Sequence, residues 1–463
     1  MSSVREVSAW IAEQLPELIE RYDVPGAAVA VLADGEVVEH AAGVLSTATG
    51  VGATTDSVFQ IGSITKLWTS SLVMQLVDEG KLELDATVRS HLPDFRIADE
   101  DAASRITVRQ LLTHTSGFEG DIFTDTGLGD DCVERYLGVL HDVPQLFPPG
   151  ALWSYNNAGF CVLGRVVEVL RGKPYDACLR EHLIKPLGIT HAATSPYEAI
   201  LFRAAVGHYE DAPSAGYHPT QMWALVRSNI PAGSMFAMSA AGLLAFARMH
   251  LDDGRAFDGS QVLASGTPAM MRERQVELPY LGHLGTSWGL GFERFDLPTG
   301  DLVGHDGNTI GQSAFLRLVP DAGVAVALLT NGGNAGLVFR DVAGHALREL
   351  TGRPLPDEPV PPSDPPRIDA SRYVGTYASS SATLEVTQED DGAVWLDTTP
   401  TDELSKELGE QPQRWELVHY DGDTLVTRER DTGLHRLMAF IGADDAGRAA
   451  YLHTGRAHAR VDG

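Results

Sequence analysis

Between Arg353 and Arg367 the chain carries seven prolines: Pro354, Pro356, Pro359, Pro361, Pro362, Pro365 and Pro366. Each ring fixes φ and removes a backbone donor, so a run this dense can continue neither a helix nor a central strand. It reads as a stiff linker, and it divides the 463 residues into parts that must each bury a core of their own. The expected division is a large unit over 1–352, a linker over 353–368 and a small unit over 369–463.

Apolar spacing differs on the two sides. At the start, Val4, Val7, Ile11, Leu15, Leu18 and Ile19 recur at helical intervals. Residues 27–32 and 36–41 flank Ala33-Asp34-Gly35, a hairpin signal. Residues 59–250 read as mostly helical with loops. A second hairpin over 315–319 and 324–330 turns at Pro320-Asp321-Ala322-Gly323, and a helix over 336–350 follows. Together these predict an α+β unit, an antiparallel sheet flanked by helices with a helical subdomain beside it. After the linker, short alternating runs at 373–377, 383–387, 394–398, 414–419, 424–428, 437–440 and 450–453 predict an antiparallel barrel or sandwich.

Composition narrows the function. With 63 acidic against 35 basic residues the net charge is −28. Such a surface repels nucleic-acid phosphates and anionic membranes, and is read as serving solubility. Cys132, Cys161 and Cys178 show no paired spacing and are read as core residues in a reducing compartment. The 16 histidines, His114, His208, His283 and His305 among them, lack metal-ligand spacing, so no metal is expected. No phosphate or dinucleotide fingerprint appears, so no cofactor is expected either. The N-terminus has no secretory pattern and no stretch of about twenty apolar residues occurs, which together predict a cytoplasmic protein.

The chemistry points to Ser63. It opens a predicted helix over 63–79 that Gly80 ends, and Lys66 lies three residues on, over the same face. A serine hydroxyl needs an adjacent base, and a desolvated lysine amine supplies one. Tyr155 and Asn157 follow in Ser154-Tyr155-Asn156-Asn157, and Gly304-His305-Asp306-Gly307 comes later. A phenol beside an ammonium would have its anion favoured and could relay a proton.

Their order resembles the serine β-lactamase and penicillin-binding-protein superfamily, in its class C and D,D-peptidase-like branch. The likeness covers about the first 350 residues. It includes Leu111-Leu112-Thr113-His114-Thr115-Ser116-Gly117, Pro231-Ala232-Gly233-Ser234 and Trp288-Gly289-Leu290-Gly291. The tail resembles the lipocalin-like β-barrel domain appended to some members. The resemblance implies Ser63 as nucleophile, Lys66 as proton acceptor and Tyr155 as relay. Asn157 would offer its amide to the lysine and to a substrate carbonyl. The backbone N–H groups of Ser63 and Asn308 would form an oxyanion hole, where each donor is worth about 10²–10³ in rate. Gly307 and Gly233 would line the substrate site, and Arg456, in Leu452-His453-Thr454-Gly455-Arg456, would stand near its mouth.

His305 departs from the family's lysine at this strand, and a mostly neutral imidazole pairs poorly with a substrate carboxylate. That feature, cytoplasmic residence and the appended domain together look like the penicillin-binding-protein-type thioesterases. The resemblance then implies release of a peptidyl thioester from a nonribosomal peptide synthetase carrier domain. The product would be a head-to-tail macrolactam, with a D-residue at the acyl position. The alternative is a D-stereospecific aminopeptidase, amidohydrolase or esterase on the same scaffold. A catalytically dead binding protein is disfavoured because no motif position is lost.

Overall fold

The computed structural model describes residues 2–210, 216–402, 405–406, 411–431 and 433–461. Helix α1 (Val4–Arg21) begins at a reciprocal cap. Ser3 accepts from the Glu6 amide, and the Ser3 amide donates to the Glu6 carboxylate at 2.7 Å. All six of its periodic apolar residues are buried. They pack on one face of a sheet beside helix α5 (Ala335–Thr351).

Strands β1 (Gly26–Ala33) and β2 (Glu36–Gly43) meet at Asp34 and Gly35, both in the left-handed region (φ 52° and 76°), as a two-residue hairpin turn requires. The sheet continues with β3 (Val276–Glu277), β4 (Ser287–Trp288), β5 (Glu293–Leu297), β6 (Gly300–Thr309), β7 (Gln312–Val319) and β8 (Val324–Thr330). The order across it is β2-β1-β8-β7-β6-β5-β4-β3, antiparallel throughout. Every residue of β1 and β8 is buried, because helices cover both faces at the sheet centre.

The far face carries the helical subdomain. Its central helix, α2 (Thr65–Asp78), has every residue from Thr65 to Leu76 buried. The helix is enclosed on every side although it carries Lys66, Thr69, Ser70, Ser71 and Gln75 among its buried residues. It packs against α3 (Asn157–Arg171) and a turn at Arg227–Ala232, and Trp68 stacks on Phe246 of α4 (Ala240–Leu251), with centroids 4.2 Å apart. The helix expected to start at Ser63 in fact begins with a 3₁₀ turn, Gly62–Ile64, so Ser63 sits on the tighter lead-in.

Residues 353–370 carry neither helix nor strand. The barrel then closes from eight strands: β9 (Gly375–Ala378), β10 (Ala382–Gln388), β11 (Val394–Pro400), β12 (Gln413–Asp421), β13 (Thr424–Thr427), β14 (Leu437–Ile441), β15 (Tyr451–His453) and β16 (Ala457–Arg460). Seven of these correspond to runs expected from sequence. The eighth, β16, is too short to stand out. It closes the ring by pairing Arg460 with Tyr377 of β9. The α+β unit with a C-terminal antiparallel barrel is therefore the observed fold. The barrel's outer face is not free: Val418, Val426, Leu437 and Ala439 bury Leu281 of the first unit. The three cysteines are buried and unpaired. Among the described residues no helix is long and apolar enough to cross a membrane.

Since Trp68 is fully buried in the helix that carries Lys66, Trp68→Ala should remove about 3–5 kcal/mol of stability. Urea denaturation followed by far-UV circular dichroism measures this directly.

Candidate active site

Three segments converge on the turn that holds Ser63, and glycines let them do so. Gly62 itself has φ 50°, and a Cβ there would lie 2.7 Å from the Asn308 amide nitrogen. A Cβ on Gly307 would come within 1.9 Å of the Ile61 carbonyl oxygen and 3.0 Å of the Ser63 nitrogen. One on Gly233, at φ 115°, would come within 2.1 Å of the Gly62 oxygen and 3.0 Å of the same nitrogen. Gly233 and Gly307 were expected to make room for substrate. Instead their bare Cα atoms clamp the Gly62-Ser63 peptide, where any side chain would displace the turn. Strand β6 is bonded to β5 only as far as Gly304, so residues 305–309 pair with β7 alone. Asn308 therefore lies on a one-sided edge against the Ser63 turn.

Lys66, one helical turn on, is fully buried. Its Nζ lies 3.0 Å from Ser63 Oγ and donates to the Ala232 carbonyl at 2.7 Å. Burial, assisted by the Arg456 charge, lowers its pKa to about 7. Near neutral pH the amine thus spends much of its time with a free lone pair facing the Ser63 hydroxyl, the arrangement that activates a serine.

The Tyr155 ring stands between two cations. Lys66 Nζ is 4.8 Å from its centroid and the Arg456 guanidinium 4.7 Å. Despite them, burial pushes the Tyr155 phenol well above its ordinary range, with the Ser63 hydroxyl opposing that shift. The sequence expectation of a favoured phenolate is corrected: in a dry site the phenol stays protonated and Lys66 carries the mobile proton. Among the described residues the Tyr155 hydroxyl makes no hydrogen bond of good geometry.

Asn157 also departs from expectation. Its amide donates to Asp121 at 2.6 Å rather than to Lys66. Arg456 donates to Asp121 as well, at 2.9 Å through Nε. Burial opposes ionisation of Asp121, but Arg456 and Asn157 more than offset it and hold the carboxyl below its usual range. Arg456 reaches the site on the tip of the β15–β16 hairpin, which is sewn to the first unit by backbone contacts. Tyr155 N–H donates to Gly455 at 3.0 Å, and Ala457 N–H donates to Ser154 Oγ at 3.1 Å. His453 Nε2 lies 2.8 Å from the Trp153 carbonyl, which can only accept.

His305 is buried, and burial beside Lys66 lowers its pKa to about 3. Its Nδ1 lies 2.5 Å from the Asp306 carbonyl oxygen, which assigns the proton to Nδ1. Nε2 is left as an unpartnered acceptor, on a ring 6.1 Å from that of Tyr155. Behind it Glu293 is buried, with its carboxyl pushed up by burial and by Asp306. Glu293 accepts from the Asp306 amide at 3.2 Å.

Sequence reasoning missed three contributors. His114, at φ 56°, accepts the Asn156 amide at Nδ1 and stacks on Tyr155 at 4.3 Å, fixing that ring. It lay inside a quoted motif, yet only its metal-binding potential was weighed. Asp121 and Glu293 carry no local signal, since only their distant partners make them part of the site.

A family model described as Beta-lactamase matches residues 11–350. Penicillin-binding protein 4 of Amycolatopsis lactamdurans is 44% identical over 367 residues, 79% of this chain and 96% of that protein. The crystal structure of SurE matches with a TM-score of 0.79 at 31% identity, over 99% of this chain and all of SurE. SurE has also been solved with D-Leu, and that structure matches at 0.77 and 29% identity. D-amino acid amidase from Ochrobactrum anthropi SV3 shares the fold at 21% identity, with a TM-score of 0.63 over 75% of this chain and 99% of that one. The chain belongs to the β-lactamase family.

Lysine side chains labelled with ¹³C should show one resonance titrating near pH 7, absent in Lys66→Met. In Arg456→Gln that midpoint should move to higher pH, because a neighbouring cation is removed.

Proposed function

We propose that this β-lactamase-family enzyme takes a peptidyl thioester from a carrier domain of a nonribosomal peptide synthetase. It would release the peptide as a head-to-tail macrolactam with a D-residue at the acyl position. The observation that carries the reading is the barrel hairpin, whose backbone bonds to Tyr155 and Ser154 and whose Arg456 lies over the Tyr155 ring. The barrel thereby becomes a wall of the acyl-transfer site and excludes water that would otherwise capture an acyl-enzyme. The likeness to SurE over the whole chain, barrel included, and the solution of SurE with D-Leu support the same reading.

In this mechanism neutral Lys66 accepts the Ser63 proton as Oγ attacks the thioester carbonyl. The oxyanion forms between the N–H groups of Ser63 and Asn308, and the thiolate leaves with a proton. The protonated Tyr155, beside Lys66, would pass that proton on. The peptide's own neutral amine then attacks the acyl-enzyme, hydrogen-bonded to His305 Nε2; neutral Lys66 takes the proton the amine loses and returns it to Ser63 Oγ as the bond from that oxygen to the acyl carbon breaks. A lysine ammonium at this position has no lone pair to accept from the attacking amine, whereas the imidazole has one.

A linear peptide ending in a D-residue, presented as a pantetheine thioester, tests the proposal by mass spectrometry. The expected product is one water lighter than the linear acid and absent with Ser63→Ala. Linear acid alone would overturn cyclisation in favour of a hydrolase. Because the base must be neutral, kcat/KM should fall about tenfold per pH unit below the Lys66 midpoint near 7.

A further inference from the structure

A cavity of about 640 Å³ lies between the two units, within the range of ordinary ligand pockets. Three walls enclose it. One is the end of the sheet, where Phe315 of β7 stacks on Phe339 of α5 at 4.5 Å. Another is the linker at Leu355, Pro356 and Pro359. The third is the open end of the barrel. There Leu384, Leu396, Thr398, Gln413 and Trp415 are cross-strand neighbours: Leu384 opposes Thr398, Thr398 opposes Gln413, and Leu396 opposes Trp415. Residues directly opposite share a face. Leu384 and Leu396 belong to the barrel's inner core, so this face is the lumen and the cavity opens into it. An eight-stranded barrel has an interior that side chains just fill, or that holds one small ligand.

Two features point to a ligand rather than idle space. His458, on the lumen face opposite Leu452, is buried and lines the cavity, yet its Nδ1 has no partner among the described residues. The cavity also reaches the catalytic turn. Asn308 and Arg456 both line it, and the first abuts Gly62 while the second covers Tyr155. Rim charges are already met within the protein: Arg317 with Asp306 at 2.5 and 3.0 Å, Arg436 with Asp431, and Arg456 with Asp121. Those three arginines are thus committed to carboxylates of the protein, and the wall formed by Leu384, Leu396, Phe315 and Phe339 is apolar.

We propose that this cavity, from the Ser63 turn to the barrel mouth, binds the uncharged apolar middle of the acyl peptide, one side chain entering the lumen beside His458. This inference rests on the peptidyl substrate proposed above. Seating the middle of the chain there would leave the C-terminal carbonyl at Ser63 and let the N-terminal amine fold back to it.

Binding without turnover separates the two readings. Ser63→Ala protein would be titrated with a dansylated octapeptide acid of uncharged apolar residues ending in a D-residue. The dipeptide acid with the same C-terminus would be run beside it. The octapeptide should bind at least ~10-fold tighter, the size of burying one further apolar side chain. Thr398→Trp, which fills the lumen mouth, should bring the octapeptide to the dipeptide's affinity and leave the dipeptide unchanged. Gln413→Trp, at an exposed position on the same face, serves as a second filling variant should the first fail to fold. Equal binding of the two peptides, or octapeptide affinity untouched by a folded filling variant, would overturn the proposal. Cyclisation could fail while this length dependence holds, so failure of either is recognisable.

Discussion

Main chain meets main chain at Ser63, and the rest of the site depends on that contact. Gly62, Gly233 and Gly307 come from a helix lead-in, a 3₁₀ turn and a sheet strand, and each would collide with backbone if it carried a methyl group. Backbone cannot yield as the end of a flexible side chain can, so these positions fix the Ser63 peptide between sheet and helical subdomain. The placement sets the rest. It sets the Asn308 backbone against the Gly62 side of the turn, and it starts α2 so that Lys66 lies beside the Ser63 hydroxyl.

Burial then decides which groups hold protons. Lys66 and Tyr155 sit in one dry pocket, and desolvation acts on both in favour of the neutral form, lowering the amine and raising the phenol. The imidazoles follow the same rule. His305 and His453 are held neutral, each with one nitrogen committed to a backbone carbonyl, so they serve as oriented polar groups rather than charges. Net charge enters through Arg456 and Asp121, an ion pair contributed by the two units together. A charge on a barrel hairpin thereby influences the ionisation of a lysine in the first unit's central helix.

Much of this was legible in the chain. Period-3.6 and period-2 patterns marked α1, α5, the two hairpins and seven barrel strands, because each buries one continuous face. Ser63 and Lys66 were legible because an i, i+3 pair on a helix is brought together by local geometry alone. Tyr155 and His305 were named through resemblance, and the structure brings both to that pair. Less legible was what those residues face. Asn157 was expected to serve Lys66 but is held by Asp121, and Gly233 and Gly307 clamp a turn instead of opening a cleft.

The sequence by itself determined most of the elements and the closeness of Ser63 and Lys66, since each rests on residues a few positions apart. Tertiary structure decided the rest: the closing strand β16, the reach of Arg456 to Tyr155, the protonation of the phenol and the tautomer of His305. Those properties depend on desolvation and on contacts that only the folded backbone creates, and neither is written in any local pattern.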